Sequence, residues 1–389
     1  MSASSQSQQN AILGARIFDG EIMRDAHAML LSRGEIVGVV PFGETPDDAT
    51  QIRLNGGTLA PGYVDLQVNG GGGALLNAAP TPETLQVIAE AHARLGATAI
   101  LPTLITDRPE VTRAAIAATR KAIARHVPGI VGLHLEGPHL SLAHKGAHSG
   151  DLIRAMERRD LEELCAAAGQ LPVLKLTVAP ESVTLAQIET LTRAGAIVSL
   201  GHSDADYETC VRAHRAGATC VTHLFNAMSQ QTARAPGLVG AALDLGGLSG
   251  GLIGDLIHVH PATIRAALRA KAGPGGIFLV SDSMAVAGTT QDHFELNGRR
   301  IERRGGRLTL ADGTLAGADL DLSTAIANLT GIGVALEEAL RMATSRPARV
   351  IGQGGMLGRL APNGRADFVW LRDDLTLGGV WQGGVRLTS

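Results

Sequence analysis

From residue 61 to about residue 355 the chain repeats one rhythm: a short apolar run, a loop, then a helix-patterned stretch. The runs GIVGLHLEG, VLKLTVAPE, AIVSLGHSD, TCVTHL, GLIGDLIHV and IFLVSDS alternate with candidate helices over 82–95, 109–126, 185–193, 205–215 and 261–271. Strands spaced by helices build a parallel sheet, because each crossover helix covers a sheet face. Residues 82–95 show the helix grammar, with Thr81 as N-cap, Pro82 in the first turn, Leu85, Ile88 and Ala89 on one face, and Gly96 as terminator. The number of units favours an α/β architecture closed into a (β/α)8 TIM-like barrel over an open doubly wound sheet. No GxGxxG opens a helix after a strand, so a dinucleotide site is not expected.

The two ends read differently. AILGARIFDG and AMLLSRGEIVGVV near the start, and RADFVWLRDDLTLGGVWQGGVRLT at the end, are strand-like runs broken by turn residues. Neither piece is long enough for its own core, so the termini are expected to meet in one small β-sandwich, with residues 1–60 and 356–389 flanking a barrel over 61–355. Apolar residues at 45% and charged residues at 18% of the 389 suit a large buried core. A net charge of −3 gives no footprint for nucleic acid or an anionic membrane, and no apolar run is long enough to span a bilayer. Cys165, Cys210 and Cys220 form no CxxC pair, which suits packing roles in a reducing cytoplasm. The opening MSASSQSQQN has neither a basic nor an apolar signal region and reads as a frayed terminus.

The chemistry lies in what ends the strands. Glu136, Glu181, His202, His223, His258 and Asp282 stand at or just past apolar runs, and in a parallel barrel those ends share the rim that carries the active site. A hydrolytic metal site needs three protein ligands, an open position for water and a base for that water's proton. Glu136, His202 and His223 supply a carboxylate and two imidazoles from three strand ends, and Asp282 supplies a fourth group. Each alone reads more simply as a hydrogen-bonded or capping residue, and His92, His126, His214 and His293 keep that structural reading. The four together, in one order along strand ends, point to a metal centre.

The motifs PGYVDLQVNGGGG (61–73), GLHLEGPHLS (132–141), GHSDA (201–205), THLFNAM (222–228), GDLIHV (254–259), LVSDSMAVAG (279–288), DGTLAGADL (312–320) and LRMATSRPARVIG (340–352) carry a resemblance over nearly the whole chain. They resemble the amidohydrolase superfamily and, within it, the N-acetylglucosamine-6-phosphate deacetylases. The resemblance implies hydrolysis of an acetamide on a phosphorylated amino sugar, with Glu136, His202 and His223 as metal ligands and Asp282 as general base. It places substrate contacts at Ala147 and His148, Asn226 and Ala227, Arg234, Asp255 to His258, and Leu315, Ala316 and Gly317. His148 would polarise the acetyl carbonyl, and Arg234 and His258, with the amides near Asn226, would hold the phosphate. It also implies a homodimer, with phosphate contacts that can cross the interface. Zinc is the expected ion, with Fe2+, Co2+ and Mn2+ open to the same ligands.

Many members of the superfamily carry His-x-His after the first barrel strand. Here Gln67 and Asn69 stand there, and neutral amides are poor transition-metal ligands, so one ion is expected rather than two. His258 can alternatively be read as a further ligand. His134, two residues before Glu136 and on the same strand face, is read as a partner behind the ligands or as a packed barrel-layer residue, with the first preferred. His139 carries no assigned role. Three rivals remain: a deacetylase for the galacto epimer, a non-catalytic barrel, and a metal-free phosphate-binding barrel enzyme.

Overall fold

The structure, a computed structural model, describes residues 9–387. Its centre is an eight-stranded sheet whose strands neighbour one another in chain order: Tyr63–Val68 (β1), Ala97–Ile105 (β2), Leu133–Glu136 (β3), Leu174–Val178 (β4), Ile197–Leu200 (β5), Cys220–Val221 (β6), Ser249–Ile253 (β7) and Ile277–Val280 (β8). Closure comes just beyond the last strand. Val68 bridges Ser283 in parallel, Asp282 N–H donates to Gln67 O at 3.0 Å, and Asn69 N–H donates to Ser283 O at 2.9 Å. The fold is the expected parallel barrel, and its closing bonds lie beside candidate site residues.

Eight helices follow the strands: Pro82–Arg94 (α1), Pro109–Ala124 (α2), Arg158–Ala168 (α3), Leu185–Arg193 (α4), Tyr207–Arg215 (α5), Gly237–Asp244 (α6), Pro261–Ala270 (α7) and Leu322–Gly331 (α8). Their starts follow from local chemistry. Thr81 Oγ1 accepts from Thr84 N–H at 3.1 Å, Thr184 and Gln187 form a reciprocal capping box, and Asp206 caps α5 through Thr209 N–H. The Asp206 cap explains why α5 begins at Tyr207 rather than at Ala205. Gly96 ends the α1 region at φ +94°, where an added Cβ would stand 2.7 Å from the Tyr63 ring, so only glycine fits.

Between β8 and α8 an antiparallel meander is inserted: His293–Leu296, Arg299–Arg304, Arg307–Thr309 and Leu315–Ala318. Asn297-Gly298 and Gly305-Gly306, all at positive φ, turn its first two hairpins. These are the residue pairs that two-residue hairpin turns require, so the turns have a local signal in the sequence.

By contacts the described chain divides into two compact units. One comprises 65–92 and 100–321, and the other 9–64, 93–99 and 322–387. The latter contains a four-stranded and a six-stranded sheet, and Phe368–Leu371 pairs antiparallel with Thr58–Pro61, so N- and C-terminal segments share one sheet. Ile12, Ile17, Met29, Leu31, Leu59, Phe368 and Trp381 fill a common core, with the Phe368 and Trp381 rings stacked at 4.8 Å. The expected sandwich from both termini is present. No helix among the described residues is long and apolar enough to cross a membrane.

Candidate active site

Glu136 is the last residue of β3, while His202, His223 and Asp282 each stand two residues past β5, β6 and β8. The latter three adopt φ of +47°, +29° and +49°. Left-handed backbone is costly for side chains of this size and persists where the surroundings impose it, a pattern concentrated at functional sites. Here it turns the chain off each strand. All four residues are buried.

Their polar atoms converge. Glu136 Oε1 lies 3.0 Å from His223 Nε2 and 3.3 Å from His202 Nε2, and the two Nε2 atoms are 3.1 Å apart. His202 Nδ1 faces the carbonyl oxygen of His144 at 2.7 Å and must donate to it, which leaves a lone pair on Nε2. A carboxylate oxygen and an imidazole lone pair then face one another in a buried space, an arrangement that calls for a cation. Burial works against the charge on Glu136, but where positive charge stands at its imidazole contacts the carboxyl is held well below the usual range; a bound cation would act in the same sense and keep it ionised as a ligand must be.

His148 also comes within ligand distance of Glu136 and His202, as one of three side chains whose donor atoms lie within 4.8 Å of one another. Its tautomer separates it from the ligands. Thr106 N–H donates to His148 Nδ1 at 3.3 Å, so Nδ1 accepts and Nε2 carries the hydrogen. Nε2 is 3.9 Å from Glu136 Oε2, farther than His223 is from Oε1. Burial pushes its pKa down to about 3, so it is a neutral N–H donor.

Asp282 Oδ1 accepts from Asn69 Nδ2 at 2.8 Å and from Gln67 Nε2 at 3.1 Å, and Gln67 Nε2 also reaches Glu136 Oε1 at 3.2 Å. Ionised carboxylates turn these amides nitrogen-first, so they present donors where a second ion would need lone pairs. Burial and the nearby Glu136 charge raise the Asp282 pKa above the ordinary carboxylate range, despite the Asn69 bond.

These side chains open into a cavity of about 530 Å³, a volume suited to a small polar ligand. The amidohydrolase family matches residues 58–384. The chain belongs to the amidohydrolase family. It is 43% identical over 377 residues to an N-acetylgalactosamine-6-phosphate deacetylase of Shewanella sp. (strain ANA-3), covering 96% of this chain and 95% of that protein. It is 36% identical over 343 residues to an N-acetylglucosamine-6-phosphate deacetylase of Haemophilus influenzae, covering 87% and 88%. Among solved structures, an N-acetylglucosamine-6-phosphate deacetylase from Pasteurella multocida superposes with a TM-score of 0.93 at 32% identity, covering 98% of this chain and 100% of that one.

As an amidohydrolase the chain is a metal-dependent hydrolase acting on amides. Ala147, His148, Asn226, Ala227, His258, Leu315, Ala316 and Gly317 line the cavity with the four central residues. Asp255 lies behind His258, accepting from its Nδ1 at 2.6 Å. Arg234 is exposed and does not line the cavity, and no lysine or arginine does among the described residues. Glu181, a strand-end residue by sequence, instead accepts from Ser203 Oγ at 2.7 Å and Asp204 N–H at 2.5 Å.

His134 is corrected from a partner behind the ligands to a barrel-layer residue. Its ring bonds Thr103 Oγ1 at 3.2 Å and Thr177 Oγ1 at 2.7 Å, inside the strands and not to Glu136. His139 bonds the Arg154 carbonyl outside the cavity. Missed by sequence were Thr106, which sets the His148 tautomer, and His144, whose carbonyl sets that of His202. Neither has a local signal, since each acts on a residue 42 or 58 positions away.

Proposed function

We propose that the protein hydrolyses the acetamide of N-acetyl-D-glucosamine 6-phosphate, yielding D-glucosamine 6-phosphate and acetate. The observation that carries this reading is the meeting of Glu136 Oε1 with the Nε2 atoms of His202 and His223, beside a buried carboxylate and a neutral imidazole N–H. Glu136, His202 and His223 would hold one divalent ion. Two nitrogens and one oxygen suit zinc, and Fe2+, Co2+ or Mn2+ take the same donors. When bound, the ion supplies Lewis-acid polarisation and makes water easier to deprotonate.

Asp282 removes the proton from the attacking water as the oxygen bonds to the amide carbon. Its raised pKa brings it closer to working pH, where a base can both take and return a proton. His148 gives a hydrogen bond from Nε2–H to the acetyl oxygen as negative charge develops there, and keeps its proton. Asp282 then returns the proton to the sugar nitrogen, the carbon–nitrogen bond breaks, and acetate leaves.

Ala147 and Leu315 to Gly317 would wall the sugar. His258, its Nδ1 held by Asp255, and the backbone near Asn226 and Ala227 would meet the phosphate end. A phosphate also wants a fixed cation, which the lining residues lack. Arg234, exposed beyond β6, would meet that need if a second copy presents it, as the homodimer of this proposal would. The division into a barrel over 61–355 and a flanking domain from 1–60 and 356–389, and a cytoplasmic location, belong to the same proposal.

The galacto epimer is the second reading, favoured by the 43% identity to a deacetylase named for it. Acetate release from both epimers, with and without a chelator, tests the proposal. Release that a chelator abolishes and a divalent metal restores supports it. No release from either epimer removes it, and preference for the galacto sugar replaces the gluco assignment.

A further inference from the structure

The segment between β3 and α3 carries two groups the chemistry depends on, the His144 carbonyl that orients His202 and the His148 ring. On its inner side it is well tied. Ser141 N–H donates to His202 O at 2.8 Å, His144 Nε2 pairs with Asp204 Oδ1 at 2.9 Å, and Thr106 holds His148. On its outer side the tie is Arg299.

Arg299 opens the second strand of the inserted meander, opposite Leu296 across the Asn297-Gly298 turn. Its half-buried guanidinium donates through Nη2 to the carbonyl oxygen of Ala147. The Ala147 side chain packs against the meander's apolar cluster, which includes Phe294, Leu296 and Ile301. His144 and Gly146 to His148 form one wall of the cavity, and Leu296 with 313–317 another, so the Arg299 side chain joins the two walls by a hydrogen bond beside the apolar contact of Ala147.

We propose that Arg299 is a positioning residue for the hydrolysis, latching the 142–148 segment to the meander so that His148 and the His144 carbonyl keep their places. The idea rests on the deacetylase reading for its kinetic test and on the metal centre alone for its binding test. A misplacement of the order of 1 Å in an active site can cost about 100-fold in rate, so one such tie matters. The contact is a single N–H to a carbonyl and not a bidentate grip on an anion, so lysine can replace arginine here, as it cannot in a guanidinium–phosphate fork.

The test compares Arg299→Met, Arg299→Lys and Arg300→Met in the full chain. Arg300 is exposed and pairs with Glu302, so its loss removes the same charge one residue away. For R299M, kcat is expected to fall about 10-fold or more with KM within about 3-fold, while R299K and R300M stay near wild type. Zinc affinity, read by competition with a chelating dye, is expected to weaken about 10-fold in R299M alone, through His202. R299Q gives the same reading should R299M not fold.

A raised KM with kcat intact would make Arg299 a substrate-binding cation and overturn the latch. Equal losses in R299M and R300M, or none in R299M, overturn it too. If the wild-type protein releases no acetate, the deacetylase reading fails, and the zinc measurement still decides the latch.

Discussion

His202 Nδ1 donates to the carbonyl oxygen of His144, 58 residues earlier in the chain, at 2.7 Å. That bond fixes the tautomer and so leaves Nε2 with a lone pair for the ion that Glu136 would share. Thr106 does the reverse to His148, taking Nδ1 as acceptor and leaving Nε2–H. Two histidines whose rings stand 4.4 Å apart are thereby assigned opposite roles by their backbone neighbours.

Asp282→Asn keeps the size and the strand-end backbone but cannot take a proton. Turnover is expected to fall by about 100- to 10,000-fold with metal content near that of wild type. Acetate release and elemental analysis on the same sample check this, and full activity would refute the base assignment.

Replacing His148 with Ala removes the neutral donor without touching a proposed ligand. We expect kcat to drop by about 100- to 1,000-fold while the protein retains its metal. Loss of the metal with the activity would instead make His148 a ligand.

For Arg234→Ala, KM for the phosphorylated sugar is expected to rise about 10-fold or more, with little change in any turnover of the unphosphorylated sugar. Equal effects on the two substrates would dismiss the phosphate role. A monomer in solution by sedimentation would dismiss its delivery from a second copy.

Asp65, wholly buried in β1, accepts from the backbone N–H groups of Gln67 and Ser281. Burial, opposed by those bonds and aided by the Asp282 charge, raises its pKa from 3.8 to about 7. Between those values the folded chain keeps a proton that the unfolded chain has released, so this contribution to stability is complete below 3.8 and is lost as pH rises through 7. Asp65→Asn should flatten that fall, because an amide oxygen still accepts both bonds but never ionises. Urea unfolding of both proteins at pH values across the window checks it, and parallel curves would dismiss the assignment.

The alternation of apolar runs with capped helices determined the barrel by itself, because period and punctuation are local properties read directly from side chains. Glu136, His202, His223 and Asp282 were legible for the same reason, since a polar group at the end of a buried strand needs a purpose. The two-residue turns of the meander were equally local, at Asn297-Gly298 and Gly305-Gly306, and could have been read.

Only the tertiary structure decided which histidine carries a hydrogen toward the centre, that His134 packs between Thr103 and Thr177, that Arg234 lies away from its own chain's cavity, and that Arg299 reaches Ala147. Hydrogen bonds between residues tens of positions apart leave no periodic trace in a sequence. They exist only once closure of the barrel brings those strand ends to one rim, and there they set the protonation on which the chemistry depends.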